Sequence, residues 1–258
     1  MSASITRRKM IRSGAGMALV GPVAAPLAGL VAGCADDGSE NTPASTATTE
    51  EPPKLPAPRN GDEALERLLE GNRRYRAGED LHPDRDPVRR VELAEGQEPF
   101  AVIVGCADSR VPPEVIFDEG LGKLFVVRIA GNTAVDPLVV GSVEYSIEHL
   151  GSVLVMILGH EGCGAVKGAV AVATEGAEEP GAIGEFIAPI VPVVEGVLED
   201  EPGSSAEGLV APSIRANVRK AVDDLAHADE LIEEFVDSGE VKIVGAEYLL
   251  ESGEVKLL

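Results

Sequence analysis

From residue 61 onward the apolar positions alternate between two patterns. In Asp62-Glu63-Ala64-Leu65-Glu66-Arg67-Leu68-Leu69-Glu70-Gly71-Asn72 the apolar residues recur three and four apart behind an acidic first turn. That spacing predicts an amphipathic helix running into Arg73-Arg74-Tyr75. Phe100 to Gly105 is instead a short unbroken apolar run, as are Leu124 to Val127 and Val153 to Leu158, and Val241 to Ala246 is a fourth, interrupted only by Lys242. Runs of this length without polar alternation predict strands covered on both faces of a parallel sheet. Helical spacing returns between them over 138–150, 165–173, 183–198 and 213–238, and the acidic stretch 199–208 reads as a loop. Strands alternating with helices predict an α/β fold, a mostly parallel β-sheet flanked by helices, in one domain spanning 61–258.

The first sixty residues follow neither pattern. Arg7, Arg8, Lys9 and Arg12 precede a Gly- and Ala-rich apolar stretch that ends Leu30-Val31-Ala32-Gly33-Cys34. A basic start, an apolar middle and small residues before the end predict an export signal over 1–34, and the paired arginines point to the twin-arginine route. Leu-Val-Ala-Gly-Cys resembles a lipoprotein box, which implies lipidation at Cys34. The protein is then expected outside the cytoplasmic membrane, anchored to it by lipid. Residues 35–60 are rich in Ser, Thr, Pro and acids, and are expected to form a disordered tether.

Charge narrows the class. There are 22 Lys and Arg against 44 Asp and Glu, a net charge of -22. The first 34 residues hold four of the bases and no acid, so the rest carries 18 bases against 44 acids, a net of -26. Such a surface repels phosphate backbones and excludes nucleic acid as a partner. With no Trp and 3% aromatic residues, the core must rest on aliphatic side chains.

Two of the predicted strands end in Gly followed by a metal-type ligand: Gly105-Cys106-Ala107-Asp108-Ser109-Arg110 and Gly159-His160-Glu161-Gly162-Cys163-Gly164. Functional groups in open α/β sheets gather beyond the carboxyl ends of the strands. If these two strands are neighbours, Cys106 meets His160 and Cys163 at one rim. Thiolate with imidazole suits zinc, and three protein ligands leave a fourth position open. Spacing alone leaves each cysteine free to be an ordinary buried residue instead. Both folded-domain cysteines are used by this reading, and a redox pair is disfavoured because they lack Cys-x-x-Cys spacing.

Cys-Ala-Asp-Ser-Arg followed by Gly-His-x-x-Cys-Gly closely resembles the β-class carbonic anhydrases. The resemblance extends over Gly96-Gln97-Glu98-Pro99, Phe125-Val126-Val127-Arg128, Ala130-Gly131-Asn132, Glu144-Tyr145 and Gly164-Ala165-Val166, about three-quarters of the chain. It implies reversible hydration of carbon dioxide to bicarbonate and a proton, with one zinc per chain held by Cys106, His160 and Cys163. It also implies a dyad in which Asp108 is either a fourth zinc ligand or is held off by Arg110. Gln97, Phe125, Ala130 and Tyr145 would contact or enclose the substrate, His149 would be a proton shuttle, and the chain would form a homodimer or larger homo-oligomer. A carbonyl sulfide or carbon disulfide hydrolase on the same scaffold would share the ligands. A non-catalytic zinc-binding surface protein would need the trio but not the dyad.

Overall fold

The computed structural model describes residues 55–258. The predicted signal, Cys34 and most of the predicted tether lie outside these residues. In chain order the elements are α1 (Gly61–Ala77), α2 (Pro87–Glu92), β1 (Ala101–Gly105), α3 (Pro113–Ile116), β2 (Leu124–Arg128), α4 (Pro137–Leu150), β3 (Leu154–His160), α5 (Gly164–Glu175), α6 (Ala182–Ile187), α7 (Val191–Asp200), α8 (Ala206–Ala226), α9 (Glu230–Asp237), β4 (Lys242–Tyr248) and β5 (Val255–Leu257). The sheet order is β2-β1-β3-β4-β5, with only β5 antiparallel.

The strand runs are apolar throughout because both faces are covered. Ala101 and Ile103 of β1, with Leu154, Met156 and Leu158 of β3, pack against Ala64 and Leu68 of α1. Val102 and Val104, with Val155 and Ile157, face Val143 of α4 and Val218 and Leu225 of α8 on the other side. A third apolar cluster joins α5 to Ile187 of α6, Val194 of α7 and Leu209 of α8, and reaches Cys106 and Cys163. β2 is the exception to double covering. It is an edge strand, and beyond Leu124 its residues are at most half-buried.

Several expected boundaries shift for identifiable reasons. The helix predicted over 183–198 is two helices, because Pro189 and Pro192 interrupt the backbone hydrogen bonding between α6 and α7. The helix predicted over 213–238 starts earlier, at Ala206, and breaks after Ala226. There Asp229 accepts hydrogen bonds from the Leu231 and Ile232 N–H groups and starts α9. The loop expected over 199–208 therefore shrinks to Glu201–Ser205. The short elements α2, α3 and β5 carry too little periodicity to read from sequence. The tether boundary moves as well: Asn60 caps α1 by accepting from the Glu63 N–H, and Arg67 donates to the Pro56 carbonyl at 3.0 Å. Residues 55–60, expected to be disordered, are thus bound to the domain by polar contacts that composition does not reveal.

Candidate metal centre

β1 and β3 are parallel neighbours, and the register pairs Gly105 with Leu158. This adjacency brings Cys106, just past β1, to His160 at the end of β3. Gly162 adopts φ +66°, a left-handed turn that favours glycine, and it swings the chain so that Cys163 opens α5. The candidate ligand atoms of Cys106, His160 and Cys163 all lie within 4.8 Å of one another, and all three residues are buried. A tetrahedral zinc with two thiolates would hold its sulfurs about 3.8 Å apart, given zinc–sulfur bonds of about 2.3 Å.

The surroundings prepare each donor. The Nδ1 of His160 lies 3.0 Å from the Glu161 carbonyl, so the ring donates there and leaves the Nε2 lone pair facing the thiols. Nε2 is buried and has no hydrogen-bond partner among the described residues, a costly arrangement unless an ion takes the lone pair. The hydrogen bond from Cys163, helped by His160 and the N–H groups of Gly131 and Asp108, holds Cys106 down to about 4, against the upward push of burial. Cys163 is pushed up by its bond to the Cys106 sulfur and by burial, although the Val166 and Ala165 N–H groups at the start of α5 favour its thiolate. Two sulfurs and one preset imidazole nitrogen are the donor set of a zinc site, and these residues fit that ion.

Asp108 stands beside the trio. Arg110 grips its carboxylate with two parallel bonds, Nε to Oδ1 at 2.9 Å and Nη2 to Oδ2 at 2.7 Å, and the Arg110 N–H adds a third at 2.9 Å. These bonds hold Asp108 well below the usual carboxylate range, burial opposing them. Its Oδ2 lies 3.8 Å from His160 Nε2. Of the two arrangements that the resemblance implies, this is the one with Asp108 held by Arg110.

The other expected site residues divide by strand direction. Ala130 follows the carboxyl end of β2 and lies next to Gly131, whose N–H reaches Cys106 Sγ at 3.5 Å. Gln97 precedes β1 and lines an exposed groove with Leu93 and Leu121. It therefore sits at the amino end of a strand about 16 Å long, opposite the metal rim. Phe125 is the second residue of β2 and contacts the Tyr145 ring at 6.3 Å, and Tyr145 meets the His149 ring edge-on at 5.1 Å. α4 leaves the rim at Pro137 and descends about 1.5 Å per residue, so Tyr145 and His149 lie well below it. Within one chain, then, Gln97, Phe125, Tyr145 and His149 do not surround the candidate zinc.

Sequence reading gave no role to Arg128, which ends β2 and binds the backbone of the Cys106 loop; its signals were its place in the Phe125-Val126-Val127-Arg128 motif and a charge closing an apolar strand. A second group of ligand-type side chains, Asp80, His82 and Asp118, also lies within 4.8 Å. The buried Asp118 already accepts from the Leu81 and His82 N–H groups and from Arg74. That cluster is a structural junction neutralised by a guanidinium.

The sheet and site define a parallel α/β scaffold carrying a thiolate–imidazole metal centre at the strand ends. A carbonic anhydrase family model matches residues 101–255. Carbonic anhydrase 2 of Mycobacterium tuberculosis is 40% identical over 194 residues, 75% of this chain and 91% of that one. The carbonic anhydrase of Mycolicibacterium smegmatis is 37% identical over the same span. Among solved structures, a Coccomyxa β-carbonic anhydrase in complex with acetazolamide superimposes with TM-score 0.61 at 27% identity, covering 75% of this chain and 86% of that one. The chain belongs to the carbonic anhydrase family, in its β class.

Proposed function

We propose that this protein catalyses the zinc-dependent reversible hydration of carbon dioxide to bicarbonate and a proton. The observation that carries this reading is the Asp108–Arg110 pair standing beside the Cys106–His160–Cys163 trio. A purely structural zinc site has no need of a gripped carboxylate at its open side. Bound there, zinc supplies Lewis acidity that brings the pKa of a water down towards about 7. Two thiolates temper that acidity relative to three imidazoles.

The chain's own groups do the rest. Asp108, ionised and without a proton to donate, accepts a hydrogen bond from the attacking oxygen and turns its lone pair towards the substrate carbon. Arg110 keeps the carboxylate ionised and fixed in angle by its two-point grip. Ala130 presents a small apolar wall suited to a substrate with no charge and no donor.

The reading extends to a homo-oligomer. β2 is an open sheet edge, and Tyr145 is half-exposed beside it. A two-fold axis across that edge would lay the amino end of one β2 against the carboxyl end of the other. Phe125, Tyr145 and His149 of one subunit would then approach the rim of its partner. Export by the twin-arginine route, with lipidation at Cys34, completes the proposal and rests on the sequence of residues 1–34 alone. Cell fractionation that finds active protein in the cytoplasm with this segment uncleaved would remove it.

Carbon dioxide hydration and carbonyl sulfide hydrolysis, measured side by side on protein with its metal quantified, test the activity. The expected result is one zinc per chain and rapid hydration. A large preference for the sulfur substrate, or full zinc without hydration between about pH 7 and 9, overturns the assignment.

A further inference from the structure

We propose that Arg128 is a positioning residue that sets the direction of the Asp108 carboxylate through the backbone of the Cys106 loop. The inference rests on the reading of that site as catalytic.

Arg128 closes β2 in register with Gly105, the last residue of β1. Its guanidinium reaches across to two carbonyls two residues apart, donating from Nε to the Cys106 oxygen at 2.9 Å and from Nη2 to the Asp108 oxygen in a close contact. Both bonds go to main-chain oxygens of the segment that carries a candidate ligand at one end and the dyad carboxylate at the other. The Asp108 carbonyl also accepts the Val111 N–H at 3.2 Å, so the turn that presents Arg110 hangs from the same oxygen. Fixing two carbonyls of a three-residue segment leaves its peptide planes little freedom to rotate. The Asp108 side chain is thereby presented towards Arg110, with Oδ2 3.8 Å from His160 Nε2.

Two features separate this role from general structural support. Arg128 is exposed and belongs to none of the buried apolar clusters. The strand end is tied independently, by the Ile129 N–H on the Gly105 carbonyl at 3.0 Å. The two-point span also calls for a planar fork, which Lys lacks.

The test compares Arg128→Gln and Arg128→Lys with wild type by zinc content, steady-state hydration kinetics and a crystal structure of the Gln variant. Both variants should keep one zinc per chain, with thermal midpoints within about 4 °C of wild type. Arg128→Gln should lower kcat by about 10- to 100-fold with KM little changed, the usual scale for losing a group that orients a ligand shell. Arg128→Lys, able to reach one carbonyl, should fall between. In the Gln crystal structure the Asp108 carboxylate should have left its two-point bond with Arg110. An unmoved Asp108–Arg110 pair overturns the proposal whatever the activity, as does zinc loss in proportion to lost activity. Wild-type protein inactive towards carbon dioxide would sink the proposed function instead, and the crystallographic comparison would still decide the role of Arg128.

Discussion

Arginine pairs with a carboxylate in two parts of this molecule, and the same chemistry does opposite work in them. At the metal rim Arg110 holds Asp108 from two residues away, with the guanidinium largely in solvent. Beneath α1, Arg67 holds Glu119 through two 2.6 Å bonds while stacking over Phe100, and Arg74 holds Asp118. Glu119 and Asp118 are fully buried, and these pairs bridge elements more than forty residues apart. The rim pair is local and wet, so it can rearrange at little cost and serve chemistry. The α1 pairs are distant and dry, so breaking either strands a charge. Burial and sequence separation, more than the identity of the partners, decide which pair is functional and which is structural.

The largest expected effect lies at the rim itself. Cys163→Ser removes a soft ligand from a site that has only three, and zinc per chain should fall from about one towards zero with hydration lost. Full zinc in that variant, measured by metal analysis, would mean the trio is not the metal site.

A crossed pair of substitutions examines the comparison directly. Arg67→Ala leaves the Glu119 carboxyl without its two-point partner in the interior, which should cost about 3–5 kcal/mol of stability and lower the thermal midpoint by about 10 °C. Its kcat per folded molecule should hold. Arg110→Ala should do the reverse, barely moving the midpoint because exposed pairs contribute little, while kcat falls about 10-fold or more. Calorimetry and stopped-flow hydration on both variants would show it, and equal losses of stability from both would erase the distinction.

The smallest effect concerns pH. Burial pushes Asp118 up, but the Leu81 N–H, the Arg74 guanidinium and the His82 N–H together hold it below its ordinary value. A depressed folded pKa contributes stability that is fully present above the unfolded value, near pH 4, and is lost as pH falls through the folded one. Asp118→Asn should therefore be less stable than wild type above about pH 4, the gap closing below it. Neighbouring Glu119 has the opposite sign: burial outweighs Arg67 and raises it. Denaturant curves from pH 2.5 to 6 would expose a pH-independent gap, which would remove Asp118 from the account.

Much of this was legible in the chain. Apolar runs and helical spacing gave the four parallel strands and the main helices, because local periodicity reports which faces are covered. The candidate ligands could be read because each follows a strand and a glycine, and the Cys-Ala-Asp-Ser-Arg and Gly-His-x-x-Cys-Gly motifs carried the family. The breaks at Pro189 and Asp229 were present as residues but were outvoted by helical spacing on either side.

What the sequence by itself determined was the four parallel strands, the main helices, the donor chemistry and the dyad, since each depends on residues close together in the chain. Only the tertiary structure decided that β1 and β3 lie side by side, which turns two separate loops into one centre. Only it placed Gln97, Phe125, Tyr145 and His149 at the far end of the layer from that centre, and Arg128 against the Cys106 and Asp108 carbonyls. These outcomes depend on strand order, direction and register, which are fixed by packing between residues tens of positions apart and leave no mark in any local window.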